Sequence, residues 1–150
     1  MAINENSKII GTFTIIERDL DGNIISESRH SNLITTIMKT ALADVLTGDY
    51  DEDKHVIGYI AVGTNATAAN AADTALGTQV GANKAPVSGS LNNDTSSVAA
   101  AATFFFDSTE STYYETWKEI GLYAANGTDL LTHAVLDPTK TFNNTKTITV

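Results

Sequence analysis

Only one stretch of this chain spaces its apolar residues as an α-helix requires, and this limits the folds open to the remainder. Between positions 33 and 46, eight apolar side chains recur at steps that place them on one helical face. Ser31 or Asn32 precedes them as a candidate N-cap, and Gly48 follows where the end of a helix needs a positive φ. We predict one amphipathic helix over about residues 32–47.

The other periodic segments have the β-branched and aromatic content of strands, with turn residues between them. The first covers residues 7–19. Asp21-Gly22 follows as a strong hairpin signal, because a type I′ turn needs positive φ at both central residues. With a return strand over residues 24–29, residues 7–29 are predicted to form an N-terminal hairpin that is a candidate docking element.

Further strands are predicted at residues 56–62, 94–107, 113–123, 130–136 and 141–150. Asn126-Gly127 supplies another turn, and Asp137-Pro138 separates the last two strands. Strands and helices do not alternate, which argues against a parallel sheet. The expected fold is mainly β: an antiparallel β-sandwich carrying the one helix. A length of 150 residues fits a single domain over residues 1–150.

One long segment lacks any periodic pattern. Residues 63–89 are rich in Ala, Asn, Thr and Gly and hold few large apolar side chains. They are predicted to form a long surface loop, and long loops of this kind are commonly functional or mobile.

Charge and cysteine content narrow the function. The formal net charge is -9, whereas a nucleic-acid-binding protein needs a basic surface. The absence of cysteine rules out disulfides, a thiolate zinc site and a cysteine nucleophile. The N-terminus lacks the basic start and apolar run of a signal peptide, and the longest apolar run, at 98–106, is too short to cross a bilayer. We therefore expect synthesis in the cytoplasm, without membrane insertion.

The acidic and histidine residues do not form recognisable metal motifs. The acidic run at 49–53 lacks the Gly and Glu that an EF-hand needs at its sixth and twelfth positions, so a solvated loop is expected there. His30, His55 and His133 share no ligand spacing. No nucleophile elbow or phosphate-binding loop occurs. We predict no catalytic, cofactor-binding or metal-binding residues, no cofactor and no enzymatic activity. Four Asn-x-Thr sequences indicate loops, at Asn65, Asn93, Asn126 and Asn143.

Three glutamates are candidate acid–base groups. Glu110, Glu115 and Glu119 are expected on the surface, with Glu115 and Glu119 on the same side of one strand. For Glu119 two interpretations stay open: a plain exposed side chain, or an inward or interface carboxylate whose partner is Lys84 or Lys140.

An alternative function is a carbohydrate-binding β-sandwich module. Such a site needs stacked aromatic rings and paired carboxylates. The candidates are Trp117, Tyr113 and Tyr114, with Glu115 and Glu119.

Several short motifs occur in an order that goes beyond composition. They are the segments at 30–34 (HSNLI), 59–69 (YIAVGTNATAA), 73–80 (DTALGTQV) and 118–123 (KEIGLY), with Lys140-Thr141 near the end. In that order, over residues 30–150, the chain resembles a family of small structural proteins of tailed bacteriophages, described as tail, baseplate or tail-fibre-associated. It departs from the family pattern where Gln79 and Lys84 replace the Glu and Arg that are often present.

The resemblance implies a virion protein without catalytic activity, which associates with copies of itself and with other virion proteins. Threefold or sixfold symmetry is implied for a position in a phage tail, so the homo-oligomer is expected to be a trimer or hexamer. A capsid decoration or head-fibre protein is the alternative within the same class.

Overall fold

A computed structural model gives the fold of residues 9–93 and 98–150. The predicted start of the first hairpin at residues 7–8 and part of the strand predicted at 94–107 lie outside these described residues. The strands are β1 Gly11–Asp19, β2 Ile24–Ile34, β3 Ile57–Gly63, β4 Gln79–Lys84, β5 Ser88–Asn93, β6 Val98–Thr103, β7 Phe105–Phe106, β8 Thr116–Ala124, β9 Leu130–Thr141 and β10 Lys146–Thr149. The helices are α1 Thr36–Thr47 and α2 Glu52–His55, with a 3-10 turn at Ser111–Tyr113.

Eight of the strands form one curled antiparallel sheet in the order β4-β3-β8-β9-β2-β1-β10-β7. Strands β5 and β6 form a separate two-stranded sheet. Strands contain 50% and helices 14% of the residues. The curled sheet is consistent with a β-sandwich or half-barrel. The prediction of a mainly β, antiparallel fold is confirmed.

The core lies on one face of the curled sheet and is largely aromatic. Trp117 packs at its centre, with its ring centroid 4.7 Å from Phe106 and 5.3 Å from Phe142. The indole N–H of Trp117 donates to the backbone carbonyl of Tyr113 at 2.9 Å, so the buried ring leaves no polar atom unpaired. Aliphatic side chains from five strands complete this core: Ile15, Ile60, Val62, Ile120, Leu136 and Ile148.

The predicted N-terminal hairpin is confirmed in β1 and β2, but its turn is not type I′. Gly22 has a positive φ of 88°, whereas no residue other than glycine does among those described. The Asp19 carboxylate instead holds the loop, because it accepts hydrogen bonds from the backbone N–H groups of Asp21 (3.0 Å) and Asn23 (2.8 Å). Hydrogen bonds to the Asp19 side chain therefore stabilise the turn, although only Gly22 in it has a positive φ.

Helix α1 ends where predicted but begins four residues later. Gly48 closes it with a φ of 84°, as expected. Its N-cap is Thr35, whose Oγ1 accepts from the Met38 N–H at 3.2 Å, so the prediction of Ser31 or Asn32 was wrong. Leu33 belongs to β2, where it pairs with His133 of β9. Tertiary strand pairing thus overrides a helical pattern that was sound locally.

The loop predicted at 63–89 is shorter than expected. Strand β3 runs to Gly63, β4 occupies Gln79–Lys84, and β5 begins at Ser88. The irregular segment is therefore residues 64–78, called the cover loop below. The break predicted at Asp137-Pro138 is also absent, because β9 continues through it to Thr141.

The hydrogen-bonded ladder between β2 and β9 comprises only two residue pairs. Buried ion pairs hold the sheet together in the seam beyond them. Beyond those pairs, Lys140 Nζ lies 3.1 Å from Glu17 Oε2, and Lys146 Nζ lies 2.8 Å from Glu17 Oε1. Burial by itself raises the pKa of Glu17, but hydrogen bonds from Lys146, Ser26 and Lys140 outweigh it, so this pKa lies below its ordinary value. Glu17 therefore remains ionised between its two lysines.

The backbone of β8 passes close to β9 at Gly121. A Cβ at this position would lie 2.6 Å from Leu130 Cδ1 and 2.8 Å from the Thr132 carbonyl oxygen. We expect Gly121→Ala to lower the free energy of unfolding by about 1–3 kcal/mol through overpacking. Urea denaturation followed by Trp117 fluorescence measures this loss.

Gly89→Ala is the matched control for that substitution. The nearest atom to its added Cβ is the Ala101 carbonyl oxygen at 3.5 Å, an ordinary contact. Its effect should stay within about 0.5 kcal/mol. Equal stability of the two variants would contradict the close approach at Gly121.

Candidate functional site

Glu119 is the most buried of the three candidate glutamates, with 1% of its surface exposed. A shift in strand register between Trp117 and Glu119 explains its position. The bulge leaves Trp117 in the aromatic core and turns Glu119 to the opposite face of the sheet, beneath the cover loop. Sequence alternation alone would have put both residues on one face.

The Glu119 carboxylate accepts hydrogen bonds from three backbone N–H groups of the cover loop. Oε1 accepts from Thr78 at 2.9 Å and from Asn65 at 3.3 Å, while Oε2 accepts from Gly77 at 3.0 Å. Both ends of the cover loop are thus tied to one side chain. The cover loop has no regular structure, and this carboxylate supplies the acceptor for three of its backbone N–H groups.

His133 extends this arrangement to the middle of the cover loop. Its Nε2 lies 3.0 Å from Glu119 Oε2 and its Nδ1 lies 2.7 Å from Asp73 Oδ2. A hydrogen bond from the Asn70 N–H, and then the contact with His133, hold the pKa of Asp73 below its ordinary value. Asp73, His133 and Glu119 are called the loop clamp below.

Two further contacts fix the cover loop over the sheet. The Leu76 N–H donates to the Tyr123 hydroxyl at 3.0 Å, and the Thr36 N–H donates to the Ala71 carbonyl at 2.7 Å. Leu76 packs on a small apolar cluster that includes Ala61 and Leu130. The cover loop is therefore held by polar and apolar contacts along its length.

A cleft of about 180 Å³ opens beside the loop clamp. Its lining includes Asn65, Thr67, Asp73, Gly77, Glu119 and His133. Small-molecule sites usually occupy about 300–1,000 Å³. The cleft is smaller, and its acidic and imidazole groups already contact one another, so we assign the clamp a structural role.

The sequence-based partners of Glu119 were wrong. Lys84 pairs instead with Glu110 and lies over the Phe106 ring, 5.2 Å from its centroid. Lys140 pairs with Glu17 in the seam between β2 and β9. His133 was missed because it is 14 residues from Glu119 along the chain, and only the β8–β9 pairing brings the two together.

The remaining acidic candidates do not join Glu119. Glu115 is exposed and precedes β8, so the prediction that it shares a face with Glu119 was wrong. In the acidic run at 49–53, Asp51 caps α2 by accepting from the Asp53 N–H at 3.1 Å.

Two of the three aromatic residues considered for carbohydrate stacking are buried, and the third, Tyr114, is half-buried. Trp117 and Tyr113 are buried in the aromatic core. The Tyr114 hydroxyl donates to the Ser108 carbonyl, and its ring packs on Phe142. Trp117 and Tyr113 therefore present no open ring face on which a sugar could stack.

The three histidines have different neighbours. His30 Nε2 lies 3.0 Å from Ser28 Oγ, His55 Nδ1 accepts from the Asp51 N–H at 2.8 Å, and His133 belongs to the loop clamp. Within residues 9–93 and 98–150, no group of three or more His, Asp or Glu side chains is placed to hold a metal ion.

Apolar surface is concentrated on α1. Leu46 is 79% exposed, and Leu42 and Val45 beside it are also exposed. A groove of about 340 Å³ separates α1 from β6, and Met38 and Ala102 are among the residues that line it. These exposed side chains and the groove are called the α1 surface below. In the part of the chain that the structure describes, no helix is long and apolar enough to cross a membrane.

Comparison with known proteins gave no relative: no protein-family model matches the chain, and no similar protein was found among curated proteins or solved structures.

The buried carboxylate of Glu119 leads to a stability prediction. Glu119→Gln places an amide N–H₂ among three backbone N–H groups that donate to the present carboxylate. We expect it to lower the free energy of unfolding by about 3 kcal/mol, because buried donors lose their acceptor. Urea denaturation measures the loss, and Glu115→Gln, at an exposed position, should change stability by less than about 0.5 kcal/mol. Equal effects of the two substitutions would rule out the loop clamp as a stabilising element.

Proposed function

We propose that this protein is a structural component of a tailed-bacteriophage virion, without enzymatic activity. It associates with copies of itself and docks in the tail, baseplate or fibre region. The observation that carries the proposal is the α1 surface, which leaves large aliphatic side chains in water beside an open groove. Burial of such a surface by a partner lowers the free energy, because apolar area is removed from water.

The positions of the phage-like motifs support the family resemblance. Gly63, Asp73, Gly77, Glu119 and Gly121 come from three separate motifs, and all lie at or beside the loop clamp. A Cβ on Gly63 would meet Glu119 and the Thr78 carbonyl, so the cover loop can close only over glycine there. The motifs therefore form one structural unit, as expected for residues that specify a shared fold.

The hairpin of β5 and β6 also favours assembly. These strands pair only with each other among the described residues. A two-stranded ribbon is marginally stable by itself in water, and contact with another chain would support it. Its base borders the groove of the α1 surface through Ala100, Ala101 and Ala102.

The N-terminal hairpin is a second candidate docking element. Leu20, Ile24 and Ile25 are exposed at the end where its strands join. Docking onto another virion protein would remove these side chains from water. The net charge of -9 would keep unassembled copies soluble.

A capsid decoration or head-fibre protein remains the alternative within the virion class, because the same surfaces would serve docking on a capsid. A carbohydrate-binding module is a weaker alternative, since Trp117 and Tyr113, two of its three candidate rings, are buried in the aromatic core.

Self-association can be tested through the α1 surface. We expect the wild-type protein to form trimers or hexamers in sedimentation equilibrium. Leu46→Glu should weaken this association at least about tenfold, because the partner would have to bury a charge. Thr40→Glu is the matched control, since it adds the same charge at an exposed position about 120° away from Leu46 around α1. A wild-type protein that stays monomeric at high concentration would contradict self-association.

Virion incorporation requires a separate measurement. Purified particles of the phage that encodes this chain should contain it by mass spectrometry, and antibody labelling in electron microscopy should place it on the tail. Labelling of the head would favour the decoration alternative. Absence from purified particles would overturn the structural role.

A further inference from the structure

We propose that a cleft between α1 and α2 binds a small neutral polyol, such as one sugar ring, through a hydroxyl group placed between His55 and Asp44. The cleft, called the α1–α2 cleft below, has a volume of about 350 Å³, which is within the range of small-molecule sites. Its lining includes side chains from α1, from α2 and from the turn before β9: Thr36, Ile37, Thr40, Asp44, His55 and Asp129. This goes beyond the proposed function and uses none of the rings considered for carbohydrate stacking.

A buried hydrogen-bond donor at this cleft lacks an acceptor. The His55 side chain is 2% exposed, and its Nδ1 accepts from the Asp51 backbone N–H at 2.8 Å. Because a backbone N–H can only donate, Nδ1 carries no hydrogen and the ring hydrogen is on Nε2. This Nε2 is buried and has no hydrogen-bond partner among the described residues. Since a buried N–H without an acceptor is costly, Nε2 indicates that a partner atom belongs beside it.

The position of Asp44 indicates the chemistry of that partner. Asp44 Oδ2 lies 3.7 Å from His55 Nε2, which is too long for a hydrogen bond, so an atom placed between them can contact both. This atom must accept from the Nε2–H and donate to the carboxylate. A hydroxyl group does both, whereas an ammonium group cannot accept and an ionised carboxylate cannot donate. The pair therefore selects a hydroxyl group.

The Asp44 side chain controls access to the buried donor. Nε2 of His55 is shielded from water, whereas the Asp44 side chain is 36% exposed. No hydrogen bond from the described residues holds the Asp44 carboxylate, so rotation about its χ1 angle can move it outward. A ligand hydroxyl then enters between the two side chains, and the carboxylate accepts from it.

The charges around the α1–α2 cleft favour a neutral ligand with several hydroxyl groups. Asp44 and Asp129 both line the cleft, while the Lys54 ammonium pairs with Asp51 at 3.3 Å. The two carboxylates would repel an anionic ligand. The Asn126 amide donates to Asp129 Oδ2 at 2.8 Å and thereby fixes this second carboxylate at the wall of the cleft. A polyol can donate to both carboxylates without adding charge.

The α1–α2 cleft and the exposed leucines of the α1 surface lie on opposite sides of α1. Thr36, Thr40 and Asp44 are spaced four residues apart, so they share one side of the helix. Asp44 and Leu42 are two positions apart, so their side chains point in directions that differ by about 160°. A polyol and a partner copy can therefore be bound at the same time. The Leu46→Glu variant should bind the polyol like the wild type.

Binding can be measured by NMR titration of the ¹⁵N-labelled wild-type protein. The probes are glucose, galactose, N-acetylglucosamine and myo-inositol, each added up to tens of millimolar. We expect at least one of them to shift the amide signals of Thr40, Asp44 and His55 in a saturable way, with a dissociation constant in the millimolar range. The absence of a saturable shift at these residues with all four probes would overturn the proposal.

A pair of aspartate variants separates the hydroxyl contact from a general effect of charge. Asp44→Ala removes the acceptor and should weaken binding of the tightest probe at least about tenfold. Asp49→Ala is the matched control, because it removes the same charge at an exposed position outside the lining of the cleft. It should retain the wild-type affinity, and thermal unfolding checks that both variants are folded. Equal affinities of the two variants would exclude Asp44 as the acceptor and overturn the site.

A crystal structure of the protein with the tightest probe locates the hydroxyl group directly. We expect a hydroxyl oxygen of the probe at about 3 Å from His55 Nε2 and within hydrogen-bonding distance of Asp44. A water molecule also accepts and donates, so it can occupy the same place. A bound water only, with no probe in the α1–α2 cleft, would overturn the proposal.

Discussion

The hydrogen bonding of one buried carboxylate decides how the outer face of this sheet is covered. Glu119 accepts hydrogen bonds from three backbone N–H groups of the cover loop. No strand pairing within the loop supplies acceptors for these groups. The approach is close enough that a side chain on Gly63 would collide with the Thr78 carbonyl at 2.5 Å. His133 then links Glu119 to Asp73 at the middle of the loop. Without the carboxylate, residues 64–78 would lose the acceptor that joins their two ends.

A fixed cover loop influences where another chain could bind. The outer edge of β4 is already occupied in part, because the Gln79 side chain donates to the Gly81 carbonyl at 3.2 Å. At the other end of the sheet, β7 has only two residues. Such edges offer little template for an added strand. Contacts with partners are therefore better served by side-chain surfaces, of which the α1 surface is the most apolar.

Local sequence patterns predicted those features that depend on neighbouring residues. The first hairpin, the end of α1 at Gly48 and the mainly β composition were predictable from turn residues and periodicity. The helix start failed because Leu33 pairs with β9, which no pattern near it reveals. The prediction of a partner for Glu119 was wrong for a similar reason. A register shift between β8 and β9 turns the Glu119 side chain to the opposite face of the sheet. The function proposed here depends on the motif resemblance and on the exposed α1 surface.

The sequence by itself determined that this chain forms short antiparallel strands, with turns at its glycines and one amphipathic helix, because these follow from backbone preferences and the spacing of apolar residues. Only the tertiary structure decided which polar groups would be buried together. Glu17 meets Lys140 and Lys146 across strands that are distant along the chain, and Glu119 meets His133 across the pairing of β8 with β9. Burial makes such groups costly unless they are paired, so strand register rather than local sequence selects their partners.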